Sequence, residues 1–143
     1  MIVSFKRVHS LAKLPKRVNS GDAGADLYSV EDVQLEPFSW RAVPTGLIGA
    51  IPYGCVGLIH PRSGLALKKG LTILNAPGTI DSGYRGEILI ILYNASQQKV
   101  FLEKETRIAQ LVIQKIELAN FQWQEQLDET DRGQAGFGSS GHK

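Results

Sequence analysis

Cysteine is almost missing from the chain. Cys55 is the only one, so no disulfide can close within the molecule and no cysteine-rich zinc site can be built from it. Histidine is scarce as well, at three residues, which argues against a His-based metal centre. Neither charge sign dominates. Sixteen Lys and Arg stand against 14 Asp and Glu, a net charge of +2, so there is no general case for a nucleic-acid or membrane partner. Long hydrophobic runs are absent, and the longest, around Ile88 to Tyr93, is too short to cross a bilayer. The opening MIVSFKRVHS lacks the apolar run and small-residue cleavage site of a secretory signal. The expectation is a cytoplasmic protein with neither nucleic-acid nor membrane partner. Glycine, at 15 of 143 residues, falls far short of a collagen repeat.

Helical periodicity is also missing. The nearest candidate, Ile108 to Leu118, carries Val112, Ile113 and Ile116, whose branched side chains favour strand. Short apolar runs recur instead: Ile2–Val8, Ala25–Val30, Arg41–Gly46, Val56–His60, Leu71–Leu74, Glu87–Tyr93, Lys99–Leu102 and Ile108–Leu118. Turn signals separate them, among them Asn19-Ser20-Gly21-Asp22, Pro52-Tyr53-Gly54 and Ala76-Pro77-Gly78. Many short strands between Gly, Pro and Asn turns predict an all-β antiparallel sandwich or barrel. Arg62 to Lys69 is the place for one short helical turn. A composition of 43% hydrophobic and 21% charged residues is that of an ordinary globular domain. We expect one β domain over residues 1–131 and a glycine-rich tail over 132–143, too polar to pack and mobile when empty.

Several motifs match by letter alone. Gly136 to Gly141 spells G-x-G-x-x-G, but that fingerprint needs a following helix, for which no chain remains. Asn94-Ala95-Ser96 is a glycosylation sequon, irrelevant without secretion. A zinc-type nucleobase deaminase needs H-x-E with P-C-x-x-C, which one cysteine cannot supply.

Other segments carry chemistry. In Asn75 to Glu87, Pro77-Gly78 suits the centre of a type II turn. The flanking runs read as paired strands, so the loop projects Asn75, Asp81 and Tyr84. Asp26 sits between small residues at a strand start. Arg62, Ser63 and Gly64 offer a guanidinium, a hydroxyl and backbone N–H groups in one turn, a good phosphate nest. Arg107 opens a strand that carries Gln110 inward. Each of these taken alone also fits a turn, cap or ion-pair residue.

Together, residues 23–29, 61–70, 75–87, 107–111 and 132–141 resemble the five ordered motifs of the trimeric dUTPase family. The resemblance implies a β jelly roll (the dUTPase-like β-clip barrel) assembling as a homotrimer, with the tail closing a site contributed by neighbouring chains. It implies hydrolysis of dUTP to dUMP and pyrophosphate with Mg2+, Asp81 orienting and deprotonating a water for in-line attack on the α-phosphorus. Arg62, Ser63, Gly64, Gln110, Arg132, Ser139 and Ser140 match phosphate-binding positions. Asn75, Gly78, Ile80, Tyr84 and Phe137 match positions around the uracil and deoxyribose, and Asp26 matches the position reaching the metal through water. The family has Gly and then an acid just before the motif-four Arg, where this chain has Glu105 and Thr106, and Gly where Ala135 stands. A dCTP deaminase on the same fold would lack this hairpin and tail.

Overall fold

Alternation of buried and exposed side chains makes most of the short strands. In the computed structural model, which describes residues 1–136 and Ser139, eleven strands and one helix follow in order: β1 Ser4–Arg7, β2 Ala25–Tyr28, β3 Val33–Leu35, β4 Trp40–Pro44, β5 Leu47–Ala50, β6 Cys55–His60, α1 Ser63–Lys69, β7 Leu71–Ile73, β8 Gly78–Ile80, β9 Leu89–Asn94, β10 Val100–Leu102 and β11 Arg107–Lys115. The described chain is thus mostly β with one short helix, and no helix is long and apolar enough to cross a membrane.

The strands form four antiparallel sheets, ordered β1-β5, β10-β3, β2-β11-β6-β8 and β4-β9-β7. The β3–β10 pair shows the rule in its smallest form. Val33 and Leu35 face Leu102 and Val100 in register and are buried, while Gln34 and Phe101 between them are exposed. Inward residues from the sheets meet in one hydrophobic cluster that includes Leu27, Val43, Leu71, Ile88, Ile90, Leu92 and Ile108. Fully burying a side chain of this size stabilises by roughly 1.5–3 kcal/mol relative to exposure. The helix ends at Gly70, whose N–H bonds the Ala66 and Leu65 carbonyls, with Lys68 and Lys69 in its last turn complementing the dipole.

Three strands escape the sequence pattern. β3 has only two apolar residues among Asp32, Gln34 and Glu36, β8 has the Gly-Thr-Ile composition of a turn, and β5 follows a sharp corner at Gly46 that reads as the end of the previous run. β11 stops at Lys115, three residues short of the predicted Leu118.

Candidate active site

The segment between β7 and β9 departs from a simple hairpin loop. Its flanking strands do pair, with Leu71 opposite Asn94 and Ile73 opposite Leu92. The turn, however, is three residues earlier than the sequence suggests. Ala76 N–H donates to the Ile73 carbonyl at 3.2 Å, which centres it on Leu74 and Asn75. A type II turn at Pro77-Gly78 would need a left-handed Gly78. Instead the Ala76–Pro77 peptide is cis, Gly78 is not among the positive-φ glycines, and it opens β8. β8 then joins the other large sheet, with Gly78 opposite Ile59 and Ile80 opposite Gly57. The loop is therefore seated on β6, and a cleft of about 180 Å³ forms there, lined by Asn75, Gly78, Ile80, Asp81, Tyr84 and Glu87 over Ile59 and Ile73.

Within the cleft, Ile80 is only 7% exposed and belongs to the core, so it offers a ligand its backbone. Asp81 and Tyr84 are the two ends of one turn, closed by Tyr84 N–H on the Asp81 carbonyl at 3.1 Å. Arg85 clips that turn, its Nη1 donating to the carbonyls of Ser82 at 2.8 Å and Tyr84 at 2.7 Å. Tyr84 Oη donates to the Glu87 carbonyl at 3.0 Å. Asp81 is exposed.

A second cluster grows from the β2-β11-β6 sheet. Gln110 stands opposite Asp26 on one side and His60 on the other, and directly opposed residues share a sheet face. Gln110 Nε2 donates to the Pro61 carbonyl at 2.9 Å, just where the chain leaves β6 for α1. Arg62 Nε meets Asp26 Oδ1 at 2.8 Å, and Arg107 Nη1 meets Oδ2 at 3.2 Å. Asp26 is 8% exposed, and a carboxylate this buried is tolerated because two guanidinium groups compensate it. The first helical donors, Leu65 and Ala66, both bond the Arg62 carbonyl. The Ser63 and Gly64 N–H groups therefore start the helix without an intrahelical partner. Asp22, Asp26, Arg62, Ser63, Gly64 and Gln110 line a cavity of about 330 Å³. A Cβ at Gly24 would lie 2.2 Å from Gln110 Oε1 and 3.0 Å from its Cδ, so a larger residue just before β2 would push that amide aside.

Among the described residues no group of three His, Cys, Asp or Glu side chains could hold a metal. Asp26 has one guanidinium on each carboxylate oxygen. It retains lone pairs for a metal-bound water and suits indirect contact better than ligation.

The two clusters share no lining residue. Among the described tail residues, the hydrogen bonds of Arg132, Gly133, Ala135 and Ser139 all run within residues 130–139, Arg132 Nε to the Ala135 carbonyl among them. Phe137 and Ser140 lie outside the described residues. Sequence reasoning missed Arg107 as a clamp on Asp26, and Arg85 and Glu87 as supports of the cleft. Their signal is unpaired charge beside a motif, and the partner is visible only once register is known.

A family model described as dUTPase matches residues 11–141. Deoxyuridine 5'-triphosphate nucleotidohydrolase of Corynebacterium glutamicum is 49% identical over 140 residues, covering 97% of this chain and 94% of that one. The enzyme of the same name from Mycobacterium leprae is 52% identical over 134 residues, covering 90% and 87%. Among solved structures, a mutant dUTPase of Staphylococcus bacteriophage 80alpha with dUpNHpp superposes with a TM-score of 0.91 at 32% identity, covering 98% of both chains. A mutant dUTPase from phage phi11 of S. aureus, described with a coordinated structural Mg(II) ion, gives 0.84 at 26% identity over 90% of this chain and all of that one.

Proposed function

The chain belongs to the dUTPase family and is an enzyme that hydrolyses dUTP, and from that premise we propose that the cleft built on β8 holds the deoxyuridine and that Asp81 directs the attacking water. The observation that carries this reading is the meeting of Asn75, Gly78, Ile80, Asp81 and Tyr84 in one cavity, with the carboxylate and the aromatic ring on the two ends of one turn.

The water's oxygen attacks the α-phosphorus in line. Asp81 accepts one of its protons, and the bond from that phosphorus to the oxygen bridging to the β-phosphorus breaks. The products are dUMP and pyrophosphate. A positioned carboxylate base contributes roughly 10²–10⁴-fold, and orientation and charge neutralisation supply the rest. Arg62, Ser63 and Gly64 grip the phosphates, Gln110 contacts them near the reacting centre, and Arg132, Ser139 and Ser140 come in from the tail. Arg107 joins Arg62 in raising positive potential around that pocket. When bound to the triphosphate, Mg2+ neutralises its charge. Asp26, its carboxylate between two guanidinium groups, would hold the hydrated ion through water.

Base choice follows from backbone. Uracil presents acceptor, donor, acceptor along its pairing edge, and in this reading the backbone of Gly78–Ile80 and the Asn75 side chain receive that edge. Cytosine would leave buried groups unpaired. Gly78, buried against Ile59, brings the backbone too close for a thymine methyl. In this reading the Tyr84 ring is the platform for the deoxyribose and excludes a ribose 2′-hydroxyl, and Phe137 stacks on the base when the tail closes. The four sheets form a jelly roll that works as a homotrimer in the cytoplasm, limiting uracil in DNA and supplying dUMP for dTMP synthesis. Phe121 and Trp123, with relative exposures of 96% and 103%, support the assembly, since fully exposed neighbouring aromatics mark an interaction surface.

A pyrophosphate-release assay in H₂¹⁸O with dUTP, dCTP, dTTP and UTP tests the reading. dUTP alone should be turned over efficiently, with the label in dUMP. Label in the pyrophosphate would refute attack at the α-phosphorus.

A further inference from the structure

The sugar side of the cleft rests on a support that the residues assigned above do not provide. Tyr84 Oη donates to the Glu87 carbonyl at 3.0 Å, so the ring folds back over Gly86. A Cβ at Gly86 would lie 2.3 Å from Tyr84 Oη, 2.5 Å from Cζ and 2.9 Å from Cε2. The ring is rigid, so it could not yield at one atom; the whole side chain would have to leave this rotamer. Glu87 in turn sends Oε1 across to Gly46 N–H at 2.8 Å, in a part-buried bond. The next residue is tied to the same corner twice. Ile88 N–H donates to the Leu47 carbonyl at 2.8 Å, and its carbonyl accepts from Thr45 Oγ1 at 2.7 Å. Thr45 and Ile88 are buried.

The corner between β4 and β5 is thus a foundation for the far side of the cleft. One of its bonds, from Ile88 N–H to the Leu47 carbonyl, holds the peptide unit that carries the Glu87 carbonyl, and the bond from Thr45 holds the next peptide. The third comes from a side chain that itself lines the cleft beside Asp81 and Tyr84. We infer that Glu87 is a positioning residue for sugar discrimination: its grip on Gly46 is the side-chain tie that, together with Ile88 N–H on Leu47, fixes the carbonyl that anchors the Tyr84 hydroxyl, and Gly86 leaves the space the ring fills. The inference rests on the reading of Tyr84 as the deoxyribose platform. With the anchor loosened, the ring gains rotamers that leave room for a 2′-hydroxyl, so discrimination falls before catalysis does.

The test is the ratio of kcat/KM for dUTP over UTP, measured on the full chain with thermal midpoints alongside. Glu87→Ala should lower the ratio about five- to tenfold, the worth of one hydrogen bond, mainly by raising kcat/KM for UTP. Glu87→Gln keeps an acceptor oxygen and should restore the ratio. Gly86→Ala should lower it at least as far. If Glu87→Ala does not fold, Glu87→Met keeps the aliphatic stem without the carboxylate and serves in its place. A wild-type ratio in Glu87→Ala or Glu87→Met, with Tyr84→Ala lowering the ratio, overturns the role of Glu87 alone. A wild-type ratio in Tyr84→Ala removes the reading of Tyr84 and this inference with it.

Discussion

Among the described residues no donor holds the Asp81 side chain, while its backbone carbonyl is tied to Tyr84 at 3.1 Å. The position is fixed and the carboxylate is left open to a substrate water. Asp81→Asn should therefore bind a non-hydrolysable dUTP analogue normally and turn over dUTP about 10²–10⁴ times more slowly; single-turnover kinetics with titration of the analogue would check both halves. Gln110 is held differently, by the Pro61 carbonyl from one side and by the close passage of Gly24 beneath it. Gly24→Ala should displace the amide and lower kcat/KM about 10-fold or more, since misplacing a group by an ångström can cost that much or more. Steady-state kinetics with Gln110→Ala as the reference would show whether the two losses coincide. At this scale the sequence carries the chemistry of each side chain but not its partner. Asp26 and Arg62 are visible as separate polar residues in small-residue segments. Their ion pair at 2.8 Å exists because β11 lies between their two strands, a fact of register that neither segment contains.

The longest strands were the most legible, and the three-residue β7 and β10 also read as short apolar runs. β6, β9 and β11, with six, six and nine residues, carry enough branched apolar side chains to declare themselves, and α1 is bounded by Pro61 and Gly70. β8 was hidden because a strand beginning Gly-Thr-Ile after Pro has the composition of a turn, and only its pairing with β6 makes it extended. The β10–β11 connection holds a different case. Glu105 has φ of +64°, a left-handed conformation that a side chain disfavours and the one the resemblance assigns to glycine. Lys13 compensates, its Nζ at 2.8 Å from the Glu105 carboxylate, and its hydrogen bond and charge hold that carboxyl below the ordinary value of 4.5. A lowered folded pKa means that the pair's contribution is fully present above the ordinary value and is lost as pH falls through the lowered one. Glu105→Gly should then raise the thermal midpoint by about 2–4 °C at neutral pH. The gain should grow below pH 4.5, where the parent loses its ion pair and the variant has none to lose. Thermal scans at pH 7 and pH 3.5 would read both. Asn94 is the buried hub of the neighbouring turn. Its Nδ2 donates to the carbonyls of Leu35, Glu36 and Gln98, and its Oδ1 accepts from Ser96. A side chain with no exposed surface cannot serve as the glycosylation acceptor that its sequon spells.

At the scale of the molecule, the cleft proposed for the nucleoside and the pocket proposed for the phosphates share no lining residue. With the nucleotide divided between two pockets in this way, the proposed homotrimer lets different chains supply the two halves. The segment after β11 points the same way. Leu118, Phe121, Trp123 and Leu127 are all exposed, too much apolar surface in one stretch for a chain working alone. Composition gave no hint of this, because exposed aromatics read like core aromatics until a structure leaves them out of the core. Assembly and closure can be separated by where each lies along the chain. Deleting residues 132–143 removes the tail groups Arg132, Ser139, Ser140 and Phe137 but keeps Phe121 and Trp123. The truncated protein should still sediment as a trimer and should lose most of its dUTP turnover. Phe121→Ser with Trp123→Ser should shift the sedimentation coefficient toward a monomer and lose turnover together with assembly. Sedimentation velocity and pyrophosphate release on the two variants would check the separation. A fully active truncation would remove the tail from the site, and an active monomer would show that one chain suffices.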